Sequence, residues 1–563
     1  MTAPHAPATG PSADVRPVTY FGPDFPFAYD QWLSHPAGLG RLPAERHGTE
    51  VAIVGAGIAG LTAAFELMKL GLKPVVYEAG RLGGRLRSQP FEGAEGVVAE
   101  LGGMRFPTSS TGFYRYLDLV GLETRPFPNP LAPCTPSTVI DLEGEPVYVE
   151  RPEDLPPLLQ EVADAWREAL EEGAQLSAVQ DAIRARDVGR LKAIWNQLVP
   201  VWDDRSFYDF VATSRAFASR SFRHRELFGQ VGFGTGGWDT DFPNSMLEIL
   251  RVVVTNCDED QRLVVDGVEQ LPRRLWKLAP GRIAHWPQGT SLERLHAGAP
   301  RPGVAKIAPA GEGRFAVTDR WGDTREYPAV LVTCQSWLLT THIECAEPLF
   351  SHRLWRALDR TRYRQSAKTF VMVDRPFWQD RDPATGRYRM SMTLSDRLTR
   401  GTYLFDHGPG RPGVICLSYS WMGDALKLLP LPVERRVKLM LGALKQIYPG
   451  VEIEKHIIGD PITVSWENDP NFLGAFKGAL PGHYRYNRRM YCHFMQDELP
   501  PRERGVFLAG DDISWTPGWV EGAVTTGLNA VWGILHHLGG RTHADNPGPG
   551  DRFAELAPIK LPD

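Results

Sequence analysis

Residues 51–60 read VAIVGAGIAG, in which a glycine-rich turn directly follows four apolar residues. The apolar run predicts a short buried strand, and Leu61–Leu70 predicts a helix that ends at Gly71. Leu72–Tyr77 predicts a second strand, so the segment forms a β-α-β unit, in which parallel strands are joined by a right-handed crossover. With the acidic Glu78 at the end of the second strand, the turn matches a dinucleotide-binding fingerprint.

The residues of this fingerprint meet different requirements of a bound dinucleotide. Gly55 permits the tight turn, Gly57 lets the backbone approach a pyrophosphate, and Gly60 lets the helix pack on the strand. The helix N-terminus faces the phosphates, and the carboxylate of Glu78 accepts hydrogen bonds from ribose hydroxyls. We therefore assign to the cofactor site Gly55, Gly57, Ala59, Gly60, Glu78 and Ala79. The fingerprint alone does not distinguish FAD from NAD.

The composition of the chain is that of a folded globular protein. Hydrophobic residues make up 42% and charged residues 23% of the 563 residues, a length that suits several structural units. A net charge of −5 supplies no positive field for nucleic acid or for an anionic membrane surface, so we expect neither as a partner. The six cysteines form no CxxC pair, which argues against a metal site and a disulfide framework. With no readable secretory signal, reduced thiols indicate a cytoplasmic protein.

Further motifs continue the pattern of the first turn. Residues 81–85 read Arg-Leu-Gly-Gly-Arg, and residues 100–105 read Glu-Leu-Gly-Gly-Met-Arg. Residues 505–512 predict a strand and a turn, and residues 518–523 lead into a helix. In this order the motifs resemble the FAD-binding segments of the flavin amine oxidase superfamily. The resemblance implies non-covalent FAD, held beyond the first turn by Gly84, Arg85, Gly103, Met104, Arg105, Gly510, Asp511, Trp519 and Val520.

The resemblance also implies the fold class. We expect an α/β (α+β) fold with a Rossmann-like FAD-binding domain of the amine oxidase type, a mixed-sheet substrate domain and a helical insertion. Apolar residues that recur at spacings of three and four after Leu155 predict the helices of the insertion. The predicted divisions are an N-terminal arm (1–48), a discontinuous FAD-binding domain (49–130, 255–345 and 490–540), a mainly helical subdomain (131–254), a substrate-binding domain (346–489) and a C-terminal tail (541–563).

A second glycine-rich match, at residues 232–237, does not predict a second dinucleotide site. No β-branched strand precedes it, and Pro243 interrupts the helix that should follow. We therefore expect the reduced flavin to be reoxidised by O2 and not by a bound nicotinamide.

Longer phrases resemble a narrower branch, the bacterial L-amino acid oxidase and monooxygenase group, and most of all its lysine-active members. The phrases lie at residues 22–27, 36–40, 105–107, 238–244 and 515–523. The resemblance implies hydride transfer from Cα of L-lysine to flavin N5, reoxidation by O2, and oxidative decarboxylation to 5-aminopentanamide, CO2 and water. The alternative is an oxidase that gives a 2-oxo acid, NH3 and H2O2, on aromatic substrates such as phenylalanine or tryptophan. A homodimer or a higher homo-oligomer is implied by the resemblance alone.

Arg105, Lys368 and Trp519 are the candidates for catalysis. Arg105 could form two parallel hydrogen bonds to a substrate carboxylate, a geometry that a lysine side chain cannot form. The L-amino acid oxidase and monooxygenase group has its carboxylate-binding arginine at this position. Lys368 resembles the superfamily's lysine that holds a water beside flavin N5. Trp519 would form the wall of the pocket beside the α-amine of the substrate. A protein that used this fold only as an FAD-binding scaffold would leave Arg105 and Lys368 unexplained.

Further side chains are candidates for the substrate pocket. Tyr419 and Trp421 would line it, and Phe476 would pack on the aliphatic stem of the substrate. Asp241 is assigned to the ε-ammonium of lysine, although it could instead serve a loop or the start of a helix. Cys257 could lie near the flavin or be a buried structural thiol.

Overall fold

The computed structural model describes residues 17–231 and 242–562. Within these ranges the strands, in chain order, are β1 (Glu50–Val54), β2 (Lys73–Glu78), β3 (Ser88–Pro90), β4 (Val98–Glu100), β5 (Phe106–Pro107), β6 (Thr124–Pro126), β7 (Thr138–Leu142), β8 (Glu145–Val149), β9 (Gln261–Val264), β10 (Arg301–Pro302), β11 (Val304–Gly311), β12 (Arg314–Asp319), β13 (Thr324–Tyr327), β14 (Val330–Val332), β15 (Glu344–Cys345), β16 (Tyr363–Arg364), β17 (Ser366–Val373), β18 (Met392–Ser395), β19 (Gly401–Phe405), β20 (Gly413–Trp421), β21 (Ile457–Ser465), β22 (Phe476–Lys477) and β23 (Val506–Leu508).

The α-helices of the same ranges are α1 (Tyr29–Ser34), α2 (Ile58–Lys69), α3 (Thr111–Leu119), α4 (Pro157–Ala174), α5 (Leu176–Ala185), α6 (Val188–Trp202), α7 (Phe207–Thr213), α8 (Arg215–Ala218), α9 (Phe222–Val231), α10 (Met246–Val254), α11 (Gln270–Lys277), α12 (Leu292–Leu295), α13 (Leu338–Thr341), α14 (His352–Asp359), α15 (Met422–Leu428), α16 (Val433–Ile447), α17 (Tyr484–Cys492), α18 (Val520–His537) and α19 (Phe553–Leu556). Among these described helices, none combines the length and the apolar character needed to cross a bilayer.

A parallel sheet in the order β10-β2-β1-β14-β23 carries the predicted β-α-β unit as β1, α2 and β2. α2 begins at Ile58, earlier than predicted, because Gly57 already has extended backbone at the N-cap position. Gly71 has a φ of 93° and follows the end of the helix, as predicted. The strands of this sheet come from the three separate segments predicted for the FAD-binding domain.

A mainly antiparallel sheet lies beside it, in the order β21-β17-β20-β19-β18-β7-β8, in which β18 and β7 run parallel. β7 and β8 fall inside the span 131–254 that we predicted to be mainly helical, so the helices α4 to α10 occupy the later part of that span. A local signal for β7 and β8 exists, because they form a hairpin with Glu143 and Gly144 at positive φ in its turn, and it was not recognised in the sequence. The pairing of β7 with β18 joins distant segments and leaves no local pattern.

The two ends of the chain meet where α18 packs on α2. A Cβ added at Gly527 of α18 would lie 2.8 Å from the carbonyl oxygen of Ala59, so glycine permits this approach. At the N-terminus, Trp32 is buried, and the carboxylate of Asp24 accepts from the guanidinium of Arg251 at 2.6 and 3.0 Å. This part of the predicted arm is therefore built into the core.

Gly527→Ala is expected to lower the free energy of unfolding by about 1–3 kcal/mol, because the added methyl group pushes α18 away from the backbone of α2. Gly442→Ala is the matched control, since a Cβ at this exposed position of α16 meets no atom within 4 Å. The control should raise the same free energy by about 0.5–1 kcal/mol through helix propensity. Chemical denaturation measures both variants, and equal effects would contradict the packing argument.

Candidate functional site

A cleft of about 280 Å³ opens where the carboxyl ends of β1, β2, β14 and β23 meet. This edge is the place where open parallel sheets bind ligands. β17 and β20 of the antiparallel sheet complete the wall with Lys368 and Tyr419. From the remaining predicted residues, the wall contains Gly55, Gly57, Ala59, Glu78, Ala79, Gly84, Arg85, Gly103, Arg105, Phe476, Gly510, Asp511, Trp519 and Val520.

The first glycine turn leaves space that the described chain does not fill. Gly57 has a φ of −71° and a ψ of 175°, which any residue adopts, yet a Cβ added there would meet no described atom within 4 Å. Gly55 differs, because its φ is 109° and Thr333 Oγ1 would lie 2.7 Å from its Cβ. Neither backbone strain nor packing therefore explains Gly57, whereas a pyrophosphate at the N-terminus of α2 does. The turn fits the cofactor expected from the sequence.

The two Gly-Gly pairs join this turn through the backbone. Gly83 N donates to Ala56 O at 2.9 Å, and Gly103 N donates to Arg85 O at 3.1 Å. A side chain at Gly102 would overlap the carbonyl group of Arg85. The three glycine motifs therefore form one connected backbone surface along the cleft.

Glu78 lies at the end of β2 on the rim of the cleft. Its carboxylate accepts from the backbone N–H groups of Ala56 and Gly80, each at 2.7 Å. Burial raises the pKa of Glu78 above its ordinary value, against these hydrogen bonds. The bonds hold the carboxylate beside the glycine turn, and its contact with a ribose stays a prediction.

Arg85 and Asp511, which lie 426 positions apart in the sequence, form an ion pair in the cleft wall. Arg85 Nη1 donates to Asp511 Oδ2 at 3.1 Å and to the carbonyl oxygen of Ala475 at 3.0 Å, and Nη2 donates to Asp511 Oδ1. Asp511 also accepts from the backbone N–H of Gly518 at 3.1 Å. The sequence placed both residues in the cofactor site, but it gave no sign that they contact each other.

Lys368 is buried at the inner wall of the cleft. Its ammonium group donates to the carbonyl oxygens of Glu100 at 3.1 Å and Gly102 at 2.5 Å, and Nζ lies 4.7 Å from the centre of the Tyr419 ring. Burial lowers the pKa of Lys368 to about 7, and burial raises the pKa of the Glu100 carboxyl to about 7. The inner wall therefore carries groups that exchange a proton near neutral pH.

Arg105 lies among aromatic rings next to Lys368. Its guanidinium carbon is 5.6 Å from the ring centre of Phe127, 5.8 Å from that of Tyr403 and 5.4 Å from that of Tyr419. Nη1 also donates to the hydroxyl oxygen of Tyr403 at 3.4 Å. The aromatic rings lie against the guanidinium and hold this cation at the inner end of the cleft.

A β-bulge in β20 aims Tyr419 at this cation. Thr369 pairs with Ser418 and Phe370 pairs with Cys416, so β20 carries an extra residue, Leu417, at this point. In a regular strand, positions three residues apart face opposite sides of the sheet. The bulge brings Tyr419 to the same face as Cys416, which is the face of the cleft.

Trp519, Phe476 and Trp421 extend the aromatic surface. Trp519 stands at the N-cap position of α18 and lines the cleft together with Phe476. Trp421 packs edge-on behind them, with ring centres 5.2 Å from Tyr419 and 5.7 Å from Phe476. The structure thus brings the predicted aromatic residues together on one side of the cleft.

Some predicted residues do not reach the cleft wall. Cys257 is fully buried, its Sγ lies 3.2 Å from Thr255 Oγ1, and burial raises its pKa to about 12. It is a packed thiol and not part of the cleft wall. Gly60 and Met104 lie behind the wall, and Asp241 lies outside the described residues.

Four aromatic residues of the wall were not among the predicted site residues: Tyr77, Phe106, Trp466 and Phe472. Trp466 and Phe472 contact each other. Their ring centres are 5.2 Å apart, and Trp466 Nε1 donates to the carbonyl oxygen of Leu101 at 3.1 Å. No sequence motif marks them, because they lie in the segment that follows β21, and the pairing of β21 with β17 brings that segment to the cleft.

Comparisons with known proteins agree with a flavin site. Residues 58–535 match the family model described as flavin containing amine oxidoreductase. The chain is 32% identical over 546 residues to tryptophan 2-monooxygenase of Pseudomonas savastanoi, a match that covers 91% of this chain and 93% of that protein. It is 30% identical to tryptophan 2-monooxygenase of Agrobacterium vitis, with 93% and 71% covered. Its fold is similar to that of the solved cyclohexylamine oxidase from Brevibacterium oxydans, at a TM-score of 0.65 and 18% identity, with 87% and 100% covered.

These comparisons confirm the α/β fold of the amine oxidase type and FAD as the cofactor. They also show that the expected preference for L-lysine, with 5-aminopentanamide as the product, is wrong. The two relatives named above, matched over 91% and 93% of the chain, are tryptophan 2-monooxygenases, which agrees with the aromatic alternative. The lysine assignment depended on short phrases and on Asp241, whereas the described wall around Arg105 is aromatic.

Gly57→Ala should weaken FAD binding by about tenfold or more and leave the cofactor-free fold intact, because the new methyl group occupies space that the described chain leaves open. Gly423→Ala, at an exposed position of α15 where a Cβ also meets no atom within 4 Å, is the matched control. Titration of the cofactor-free variants with FAD gives the dissociation constants, and thermal unfolding without FAD gives the stabilities. Unchanged FAD binding in Gly57→Ala would mean that the turn does not hold the pyrophosphate.

Proposed function

The chain belongs to the family of flavin-containing amine oxidoreductases, and from this we propose that it oxidises an aromatic L-amino acid, tryptophan foremost, at Cα with O2 as the electron acceptor. The observation that carries the proposal is the position of Arg105. Its guanidinium lies at the inner end of an FAD cleft, held by the rings of Phe127, Tyr403 and Tyr419. A cation in that place suits the carboxylate that distinguishes an amino acid from an amine.

FAD, when bound, takes a hydride from the substrate carbon and passes the electrons to O2. The residues that would hold it are the glycine surface of the three motifs, Glu78 at the rim, and the turn that the Arg85–Asp511 pair fastens to this surface. The chain's own contribution is to bind the substrate, to orient its Cα and to exclude water from the inner cleft.

Substrate orientation follows from two walls of different chemistry. The carboxylate would bind the guanidinium of Arg105, while Tyr419, Phe476 and Trp519 supply flat apolar surface for an indole ring. Two planar donors of the guanidinium fix the carboxylate in one plane, and ring contacts fix the side chain. The substrate would then be held at both ends, with its Cα between them.

The proposed outcome is oxidative decarboxylation to the amide. For L-tryptophan the balance is one amino acid plus one O2, giving indole-3-acetamide, CO2 and water. This outcome is supported by the names of the relatives, which are 2-monooxygenases. Release of the imino acid before it meets oxygen would instead give the 2-oxo acid, NH3 and H2O2.

Anaerobic mixing with L-tryptophan should bleach the flavin absorbance of the purified holoenzyme, and admission of O2 should yield indole-3-acetamide and CO2. Tryptamine has the same indole side chain but lacks the carboxylate, so comparing the two substrates tests whether Arg105 binds the carboxylate. We expect Arg105→Met to lower kcat/KM for L-tryptophan by roughly 100-fold, because charge-assisted hydrogen bonds to the carboxylate are lost, and to leave tryptamine turnover little changed.

Three outcomes would contradict the proposal. The flavin could stay oxidised in L-tryptophan, it could be bleached by L-lysine but not by L-tryptophan, or Arg105→Met could affect both probes equally. Product analysis decides the remaining question, since H2O2 with indole-3-pyruvate would replace the amide outcome by the oxidase outcome.

The rate constant for flavin reoxidation by O2 should fall as the pH rises through about 7. Burial lowers the pKa of Lys368 to about 7, so its positive charge, which favours electron transfer to O2, is present below that pH and lost above it. The groups around it are Glu100, Arg105, Cys416 and Tyr419, and Lys368→Met should remove the step from the pH profile. Stopped-flow reoxidation from pH 5.5 to 9 measures it, and an unchanged step in Lys368→Met would assign the titration to another group.

A further inference from the structure

A second cavity, of about 260 Å³, lies on the far side of the catalytic groups, between the antiparallel sheet and strands β6 and β9. Cys134, Ser137, Met390 and Met392 are among its lining residues. A smaller cavity, of about 30 Å³, follows it towards the cleft. The two share Arg125, Leu263 and Phe405, so they are neighbours within one layer of the fold.

The smaller cavity ends behind the catalytic groups. Side chains on a strand alternate between faces, so Lys368 and Phe370 share a face of β17; Lys368 lines the cleft and Phe370 lines the smaller cavity. Phe127 lines this cavity too, and its ring lies against the guanidinium of Arg105. Glu100, also in its wall, accepts the hydrogen bond of Lys368 through its carbonyl oxygen. One layer of side chains therefore separates the smaller cavity from the cleft.

The larger cavity is suited to an apolar occupant. The hydroxyl groups of Ser137 and Ser391 hydrogen-bond to each other at 2.6 Å, and Cys134 Sγ donates to the carbonyl oxygen of Phe127 at 3.3 Å. Arg125, Gln379 and Asp406 also line the cavity and bond to one another, because the guanidinium of Arg125 donates to the carbonyl oxygen of Asp406 and Gln379 Nε2 donates to Asp406 Oδ2 at 2.8 Å. These polar groups are engaged within the protein, and methionine, leucine and aromatic side chains supply much of the remaining wall. Apolar cavity walls bind small apolar molecules such as xenon.

We infer that the two cavities form an entry route for O2, separate from the entrance used by the amino acid. The inference rests on the proposed function, because the amide is formed only if the oxidised substrate is still in the cleft when O2 arrives. The substrate then blocks the cleft entrance. O2 is small and apolar, and the smaller cavity ends at Phe370 and Glu100, directly beside Lys368.

Leu263 lies in the wall of both cavities, and a larger side chain at this position closes the junction between them. Leu263→Trp should lower the second-order rate constant for reoxidation of the reduced holoenzyme by O2 by roughly tenfold, and the anaerobic reduction rate by L-tryptophan should stay unchanged. Leu263→Met, which nearly conserves the volume, is the matched control and should behave as the unaltered protein. If Leu263→Trp does not fold, Cys134→Phe at the exposed rim of the larger cavity replaces it, and the same slowing of reoxidation by O2 is expected.

Xenon supplies a readout that does not depend on turnover. Crystals of the holoenzyme under xenon pressure should show xenon density in the larger cavity, and Leu263→Trp should remove xenon from the smaller one. Absence of xenon from the larger cavity, or reoxidation of Leu263→Trp as fast as that of Leu263→Met, would overturn the inference.

Chemical reduction separates this inference from the proposed function. If L-tryptophan fails to bleach the flavin, the proposed function fails, but dithionite-reduced holoenzyme still reports the O2 rate constant of each variant. A slowed O2 reaction in Leu263→Trp after dithionite reduction supports the route whichever amino acid is the substrate. An unslowed one rejects the route even if L-tryptophan is oxidised.

Discussion

The ion pair between Arg85 and Asp511 is the contact on which the cofactor cleft depends. It joins the glycine motifs near the N-terminus to the turn ahead of α18, and the exposed fractions of the two side chains are 24% and 9%. Removal of one partner leaves the other charge partly buried and unpaired, at a cost of several kcal/mol, about 3–5 for a fully buried pair. Each residue therefore holds the other in place, and the cleft is complete only when distant parts of the chain have folded together. The contact between α18 and Ala59 at Gly527 fixes the same two parts from behind.

Burial governs the charges of the site as strongly as pairing does. It lowers the pKa of Lys368 to about 7 and that of Lys477, whose ammonium donates to the carbonyl oxygen of Asp512 at 2.6 Å, to about 8. It raises the pKa of Glu100 and of Glu521 to about 7. Among the described residues, the inner part of the protein thus holds groups that gain or lose protons near neutral pH, and the proposed reaction assigns none of them as a strong base at the substrate carbon. Hydride transfer from an amino acid with a neutral amine requires none, so the electrostatics and the proposed reaction are consistent with each other.

The parts of the fold that the sequence predicted are those whose evidence is local. The β1-α2-β2 unit, the Gly-Gly pairs and the start of α18 each lie within a short segment whose periodicity or glycine spacing has one physical explanation. Gly57 is the clearest case, since neither backbone strain nor packing of the described residues explains its lack of a side chain. The pairing of β7 with β18, the Arg85–Asp511 contact and the position of Trp466 depend on which distant strands meet, and no local pattern carries that information. The lysine preference failed for a related reason: it depended on several phrases and on the one carboxylate of Asp241, whereas pocket chemistry is a property of the whole wall.

The bulge in β20 shows how much of the site such non-local pairing decides. If Leu417 were paired as a regular strand residue and not bulged, the alternation of the strand would turn Tyr419 away from Cys416 and from the cleft. Both neighbours of β20 record the shift, because Gly401 and Tyr403 of β19 pair with Tyr419 and Cys416. β17 keeps its regular alternation, so Phe370 follows Lys368 on the same face and lies in the apolar layer behind it. The irregular strand thus directs an aromatic ring towards the substrate side, while the regular strand connects the cation to the layer through which we infer that O2 arrives.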